Sequence, residues 1–438
     1  MSPGVCRFRF FFLAFLLTFC LLFHAGAETI TLSIDDAVQR ALDSSINLKK
    51  SSIDLAQAGY SASHLWAEVF PTFSLGGTLT FLPATALLTD PGFDYNGPSY
   101  SFSLGLSFSP NLSFKASMDR IELAYRAQML SYENASRQLE IQVIKNFLNL
   151  ITRRENAAFM EENLEKARLK QDRERAAWQN GLLSELNWLQ SQLSVETARY
   201  NLIDAQGTYQ NALREFLALL GIDAGTDIEL RGTIEIAPVS YDAEALILEY
   251  LPKRPDIISQ RQTIERLELA KSISTMDSRL PKLSLSTQWQ GSGSTGGSFS
   301  DRLSGSLTVN IPIDSWIPGT KQNQNLRSAD ADIEKARLDL QNVETQAKTQ
   351  IRALISNLEN TWSSLEVARL RVSIAERNAA AAEISFQNGT VESQTLEDSR
   401  RDLTDARQRL LQGEYSYQSL LLDLASALNV DWKTLVMQ

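Results

Sequence analysis

Cysteine and histidine are nearly missing from this chain. Its 438 residues hold two of each, and Cys6, Cys20 and His24 all fall within the first 27 positions. Those positions (1–27) read as a secretory signal: Arg7 and Arg9 supply the charged start, Phe10 to Phe23 the apolar run, and Ala25-Gly26-Ala27 the small-residue cleavage site. The apolar run is shorter than the ~20 residues of a spanning helix, and bulky Phe19 precedes Cys20 where a lipoprotein signal has a small residue. Cleavage before Glu28 leaves a mature chain with no thiol, which excludes disulfides, cysteine metal sites and cysteine nucleophiles.

Other absences point the same way. His64 is the one histidine left after cleavage, on a helical stretch where packing or exposure explains it better than catalysis. Phosphate-cradling glycine loops, nucleophile elbows and metal-ligand spacings are not found, and the six methionines are scattered. The sequence reads as no enzyme and asks for no cofactor or metal. Losing Arg7 and Arg9 shifts the formal charge from −10 to −12, with 40 basic against 52 acidic residues. That balance disfavours nucleic acid as a partner. After the signal no run of ~18 apolar residues occurs, so a membrane crossing, if there is one, must be made by β-strands.

What is present is a long internal repeat. The turn Trp178-Gln179-Asn180-Gly181 returns 208 positions later as Phe386-Gln387-Asn388-Gly389, and the segments beyond stay in step: Ala198-Arg199 with Ala406-Arg407, Tyr209 with Tyr417, Asp223 with Asp431. The period far exceeds the 20 to 50 residues of a solenoid repeat. The mature chain therefore divides into a first unit (28–220), a connector (221–241) and a second unit (242–438), with a short strand expected within Ile228 to Ile236.

Each unit has the same order of patterns. In the first, a helical region from Ile34 to Val69 ends at Pro71, and the period switches from 3.6 to 2. Strands are expected at about 73–82 and 99–109, joined by a Pro/Gly-rich loop from Pro83 to Pro98. In the second, a helix from Arg254 to Arg279 ends at Pro281, and strands follow at about 283–291 and 303–311. Strands of some nine residues fit a tilted bilayer crossing, although alternation alone also fits a half-buried soluble sheet. Phe70, Phe73, Phe81, Tyr100, Phe108, Trp289 and Trp316, near the strand ends, suit interface girdles or packing below the strands.

Beyond the strands, Phe114 to Gln179 and Thr320 to Gln387 contain no proline, and at 1.5 Å per residue each helix extends roughly 100 Å. Their apolar residues recur in three-four steps, as in Ile351, Leu354, Leu358, Leu365 and Phe386. Half one has Ala157, Met160, Leu164, Ala167, Gln171, Glu174 and Trp178 at the matching places. This period predicts left-handed antiparallel coiled-coil hairpins, with tip turns at 178–184 and 386–393. Four strands cannot close a membrane barrel, which needs about eight, so several copies must share one.

These residues resemble the TolC-like outer-membrane efflux protein family, also called outer membrane factors. The resemblance spans the mature chain and rests on Leu32-Ser33-Ile34-Asp35-Asp36-Ala37-Val38, Pro71 and Pro281 at the strand entries, Pro312 with Gly319 at the return, and the duplicated Asn-Gly turns with Ala-Arg seventeen residues on. It implies a mainly α fold with a membrane β-barrel: a homotrimer in outer-membrane lipid whose four strands per chain build a 12-stranded barrel above a periplasmic α-barrel. It further implies a channel-tunnel of a tripartite efflux or type I secretion system. Such a channel works with a periplasmic adaptor (membrane fusion protein) and an inner-membrane transporter. The alternative is a periplasmic coiled-coil scaffold or adaptor without a pore, which would lack duplicated strand pairs of membrane length. A passive porin would need no long helices.

The resemblance also implies site residues. A lumen carboxylate nine residues beyond the second turn glycine is Asp398, and its first-half equivalent is Gln190, giving three carboxylates per trimer mouth. Such a ring attracts cations, whereas the plain alternative pairs Asp398 with Arg401 on the helix surface. A second family carboxylate position holds Thr395, and the polar lock positions hold Val391 and Phe386, with Asn187 in half one. Closure is therefore expected to depend on Phe386 packing and supercoiling instead of an ion-pair lock. Asn180, Gly181 and Leu182, with Asn388, Gly389 and Thr390, are the expected adaptor-docking tips.

Overall fold

The architecture comes from a computed structural model that describes residues 30–81, 98–110, 112–232 and 236–436. In chain order the elements are β1 (Ile30–Leu32), α1 (Ile34–Ser44), α2 (Ile46–Ser63), β2 (Thr72–Thr80), β3 (Ser99–Phe108), α3 (Phe114–Gln179), α4 (Glu185–Leu219), β4 (Ile228–Leu230), α5 (Ala243–Tyr250), α6 (Pro255–Arg279), β5 (Lys282–Ser294), β6 (Ser300–Asn310), α7 (Lys321–Gln387), α8 (Ser393–Leu428) and α9 (Trp432–Val436). The chain forms two compact units that interleave in sequence. One joins Ala135–Leu248 and Thr349 onward with the residues up to Lys49, and the other joins Lys50–Asn134 with Glu249–Lys348. The signal (1–27) and all but the last residue of the loop expected from Pro83 to Pro98 lie outside the described residues.

In the unit of the sheet, β2, β3, β5 and β6 pair in that order, all antiparallel. The register separates two chemistries. Leu75, Leu104, Trp289 and Leu303 stand side by side across the strands, and the next row is Ser74, Gly105, Gln288 and Ser304. Successive side chains point to opposite faces, so one face is apolar and the other polar. Neither is covered: Leu75 is 82% exposed and Leu303 73%. Pro71 and Pro281 stand immediately before β2 and β5, where a missing N–H does least harm to a ladder.

Below the strands an aromatic ladder runs Tyr60, His64, Trp66, Phe70, Phe73, with successive ring centroids 4.1, 6.5, 5.1 and 6.3 Å apart. His64 stacks on Tyr60 and shares a hydrogen bond with its carbonyl at 2.9 Å, a packing role. The helical region expected from Ile34 to Val69 is divided at Ser45 and ends in a short 3-10 turn, Leu65–Val69. Trp316 lies under the Arg279 guanidinium at 5.1 Å. The helical parts of this unit are joined by exposed ion pairs, among them Arg337–Glu268 at 3.0 Å and Lys271–Asp330.

The other unit has the core. β1 and β4 pair in parallel, Leu32 opposite Leu230, and close over a cluster containing Phe147, Ile151, Phe216 and Leu217. The β1 strand has only three residues, too few for alternation to reveal it. Ser33 and Asp36 form a reciprocal capping box that starts α1: Ser33 Oγ accepts from the Asp36 N–H at 3.2 Å, and the Ser33 N–H donates to the Asp36 carboxylate at 3.3 Å. In the second repeat, fully buried Tyr417 donates from its hydroxyl to Ala237 O at 3.0 Å and accepts from the Val239 N–H at 3.2 Å. Those bonds fasten the connector to α8. Burial pushes the nearby Tyr241 hydroxyl up to about 12, with Tyr417 adding to the shift.

Candidate pore mouth and docking tips

Both tip turns are Schellman motifs. In the first, the Gly181 N–H donates to Trp178 O at 2.9 Å and the Leu182 N–H to Ala177 O at 2.8 Å; in the second, Gly389 bonds Phe386 O at 3.0 Å and Thr390 bonds Ser385 O at 2.9 Å. The motif needs a left-handed residue after the helix, and Gly181 and Gly389 supply φ of 72° and 71°. The repeat marker is thus a backbone requirement. It recurs at the other end of the return helices, where Gly221 (φ 68°) and Asn429 (φ 57°), again 208 positions apart, close α4 and α8 the same way. Asn180, Gly181, Asn388, Gly389 and Thr390 are exposed, and Leu182 is 81% exposed. After the first turn, Ser184 caps α4 by accepting from the Asn187 N–H at 3.3 Å.

The seams behind the turns differ. In half one, Trp178 and Trp188 stack face to face across the hairpin, centroids 4.5 Å apart and planes 3° apart. In half two the equivalents are Phe386 and buried Leu396. Phe386 is half-buried, and the Lys170 ammonium sits over its ring at 5.9 Å.

That lysine belongs to a group the sequence reading missed. Lys170 on α3 is 5% exposed and Glu174, one turn on, is 3% exposed. Lys170 donates to Glu397 on α8 at 2.5 Å and lies 3.8 Å from Glu174. Ser194 and Arg400 also reach Glu397, at 3.2 and 3.9 Å, and Ser393 donates to Glu174 at 3.2 Å. Arg400 then bridges to Glu383 on α7 at 2.5 Å, which Arg173 meets at 3.4 Å. Burial pushes the Glu383 carboxyl up, but Arg400, a hydrogen bond from Gln387 and Arg173 together hold it below its ordinary range. Near the tips Phe386 is thus neighboured by charges that tie the two hairpins of the chain together. The signal was legible, because Glu174 occupies a seam position where an apolar residue belongs.

Above this group the joint between α3 and α8 stays polar, with Asn163 to Thr404 at 3.4 Å, Glu162 to Arg407 at 3.6 Å and Asn156 to Gln408 at 3.3 Å. It borders a cleft of about 990 Å³ lined by residues including Lys166, Lys170, Glu376, Glu397 and Arg401.

Asp398 faces solvent on α8, one position past Glu397. It accepts from Gln394 Nε2 at 2.9 Å and lies 4.0 Å from Arg401, the helix-surface pairing weighed from the sequence. Gln190 and Thr395 are likewise exposed, Thr395 giving its carbonyl to Ser399 Oγ at 2.9 Å. The fold puts Phe386 beside the charged group and leaves Asp398, Gln190 and Thr395 on open helix faces. Among the described residues no helix is long and apolar enough to cross a membrane.

Comparison with known proteins agrees with this architecture. The family model described as "Outer membrane efflux protein" matches residues 37–222 and 246–430, the two repeats in turn. The chain is 24% identical over 405 residues to "Toxin and drug export protein A" of Aggregatibacter actinomycetemcomitans, covering 88% of this chain and 85% of that one. It is 22% identical over 411 residues to "Outer membrane protein TolC" of Escherichia coli (strain K12), covering 89% and 80%. Among solved structures, the Campylobacter jejuni CmeC outer membrane channel superposes with a TM-score of 0.73 at 19% identity, covering 92% of this chain and 88% of the other.

Proposed function

The chain belongs to the outer membrane efflux protein family, and from that membership we propose that it is the channel-tunnel of a tripartite efflux or type I secretion system. The observation that carries the reading is the sheet. Four strands of nine to thirteen residues present a bare apolar face and, opposite it, a face of Ser, Gly, Thr and Gln. An exposed apolar face of that height has a natural solvent in lipid, and the polar face then lines water. The outer strands β2 and β6 each have an unpaired edge among the described residues, and water-free surroundings do not tolerate open edges. Three chains joined edge to edge close a barrel of twelve strands.

In this reading the helical hairpins extend into the periplasm, the Asn-Gly tips meet an adaptor, and the adaptor couples the channel to an inner-membrane transporter. The relative named for toxin and drug export favours that assignment. Asp398 from each copy faces the mouth and favours cations. The chain acts by conduction and carries out no covalent chemistry.

The test is physical. Membranes washed with alkali should retain the protein, and the purified protein should form channels in planar bilayers. Asp398→Ala should lower cation-over-anion selectivity with single-channel conductance still measurable. A protein released by the wash would support the coiled-coil scaffold instead, and unchanged selectivity would remove Asp398 from the mouth.

A further inference from the structure

Charge is unevenly shared between the sheet and the rest of the chain. Beyond its first 27 positions the protein has 40 basic and 52 acidic residues, yet β2, β3, β5 and β6 together contain three charged ones, Lys282, Asp301 and Arg302. The strand registers run on without a skipped residue, so alternation fixes the face on which each side chain stands. Arg302 pairs with Gln290, Gln290 with Ser103 and Ser103 with Gly76, a row of the polar face. Lys282, opposite Asn310 at the other end of β5, shares that face. Asp301 stands on the apolar face, where its carboxylate accepts from Trp289 Nε1 at 3.2 Å. The polar face of the four strands therefore carries two cations and no carboxylate.

The rest of that face is neutral and bonds to itself. The Thr72 and Ser107 hydroxyls meet at 2.5 Å, and those of Ser286 and Ser306 at 2.8 Å. A hydroxyl both donates and accepts, so such pairs prefer neither sign of ion. Lys282 and Arg302 are exposed and form no ion pair among the described residues. A bare guanidinium keeps its planar fork of donors free for a solute, and carboxylate and phosphate oxygens match that fork. The two cations act separately. Gln290, the partner of Arg302, is eight residues along β5 from Lys282, roughly 26 Å at 3.3 Å per residue, whereas charges in water are screened over ~8 Å at physiological salt. Arg302 lies near the β5–β6 turn, and Lys282 lies beside the junction with α6.

We propose that Arg302, one from each copy, forms an anion site at the turn end of the strand-lined passage, with Lys282 as a second, separate cation ring at the helical end. The passage then favours solutes bearing carboxylate or phosphate groups and disfavours cations. This rests on the channel reading above, in which the polar face lines water, and adds the sign of what that face attracts. Converging like charges of several copies strengthen the pull on an oxyanion that none of them could hold alone. The preference is opposite to the one assigned to Asp398, which belongs to the other compact unit. A solute that crosses the whole protein meets both signs.

Planar bilayers test this from one side at a time. Inorganic tripolyphosphate, added to each side in turn, should block potassium chloride current more strongly from one side, that of the β5–β6 turn. Arg302→Gln should raise the blocking concentration on that side about tenfold, since several exposed guanidiniums are lost at once. Arg302→Lys should restore most of the block, and Lys282→Gln should hardly change it from that side. Gln290→Glu keeps the guanidinium but sets a carboxylate opposite it, and it should weaken the block as Arg302→Gln does, which covers the case in which that variant inserts poorly. In a salt gradient the reversal potential of both should move toward cation preference. Conducting channels in which wild type, Arg302→Gln and Gln290→Glu are blocked alike would overturn the anion site and leave the channel reading standing. A wild-type protein that inserts and carries no current would overturn the channel reading and this proposal with it.

Discussion

Lys170 of the first hairpin and Glu397 of the second meet at 2.5 Å, beside the almost fully enclosed carboxylate of Glu174. A single ammonium thus serves two carboxylates on different helices, close behind both tips.

Replacing Lys170 by Met leaves Glu174 and Glu397 enclosed with one less countercharge. Breaking a buried pair from one side costs ~3–5 kcal/mol, so the melting temperature of the detergent-solubilised oligomer should fall by several degrees. Glu397→Gln, at a more open position, should cost less. Equal melting temperatures for Lys170→Met and wild type would mean that the pair contributes nothing to the joint.

The depressed carboxyl of Glu383 makes the hairpin contact acid-sensitive. A carboxyl whose folded-state value lies below the ordinary 4.5 stabilises the fold fully above that value. The contribution is lost as pH falls through the lower folded value. The melting-temperature difference between wild type and Glu383→Gln should be constant from about pH 8 to about pH 5 and shrink on further acidification. A difference that grows in acid would reverse the sign of this argument.

At the tips, a Cβ built on Gly181 or Gly389 meets nothing within 4 Å, so a side chain there strains only the backbone, whose φ is positive. Gly389→Val should cost about 1–3 kcal/mol and still assemble. If the tips grip the adaptor, export through the reconstituted three-part system should fail while the oligomer persists. Normal export by the Gly181→Val/Gly389→Val variant would move the docking site elsewhere.

In the sheet, Leu104 stands between Leu75 and Trp289 in the apolar row. Leu104→Arg should oppose insertion by roughly 2–4 kcal/mol per chain if the row lies at mid-membrane. Neighbouring Ser103→Arg, on the polar face, should insert normally. Fractionation of outer membranes reads this directly, and equal recovery of the two variants would mean that lipid does not touch that face.

Much of the fold was legible because it depends on local periodicity. The change from a period of 3.6 to 2 at Pro71 and Pro281 located β2 and β5, and the lack of proline from Phe114 to Gln179 gave α3 its full 66 residues. Shorter or less periodic signals were harder to read: β1, the break at Ser45 and the capping role of Ser33 involve only a few residues each. The polar group around Lys170 was half visible, since Glu174 interrupts an apolar seam, but its partners lie more than 200 positions away. No local pattern names them.

The sequence by itself determined the repeat, the elements and the two Asn-Gly turns, because helix period, strand alternation and the left-handed glycine are properties of neighbours along the chain. Tertiary structure alone decided which helix faces which. It put α3 against α8 with charges between them, and it left Leu193 of α4 and Leu370 of α7 exposed. Spacing makes a seam on a helix, but the partner is chosen by all the side chains that must be desolvated together. That sum is taken across the folded layer, over residues the chain keeps far apart.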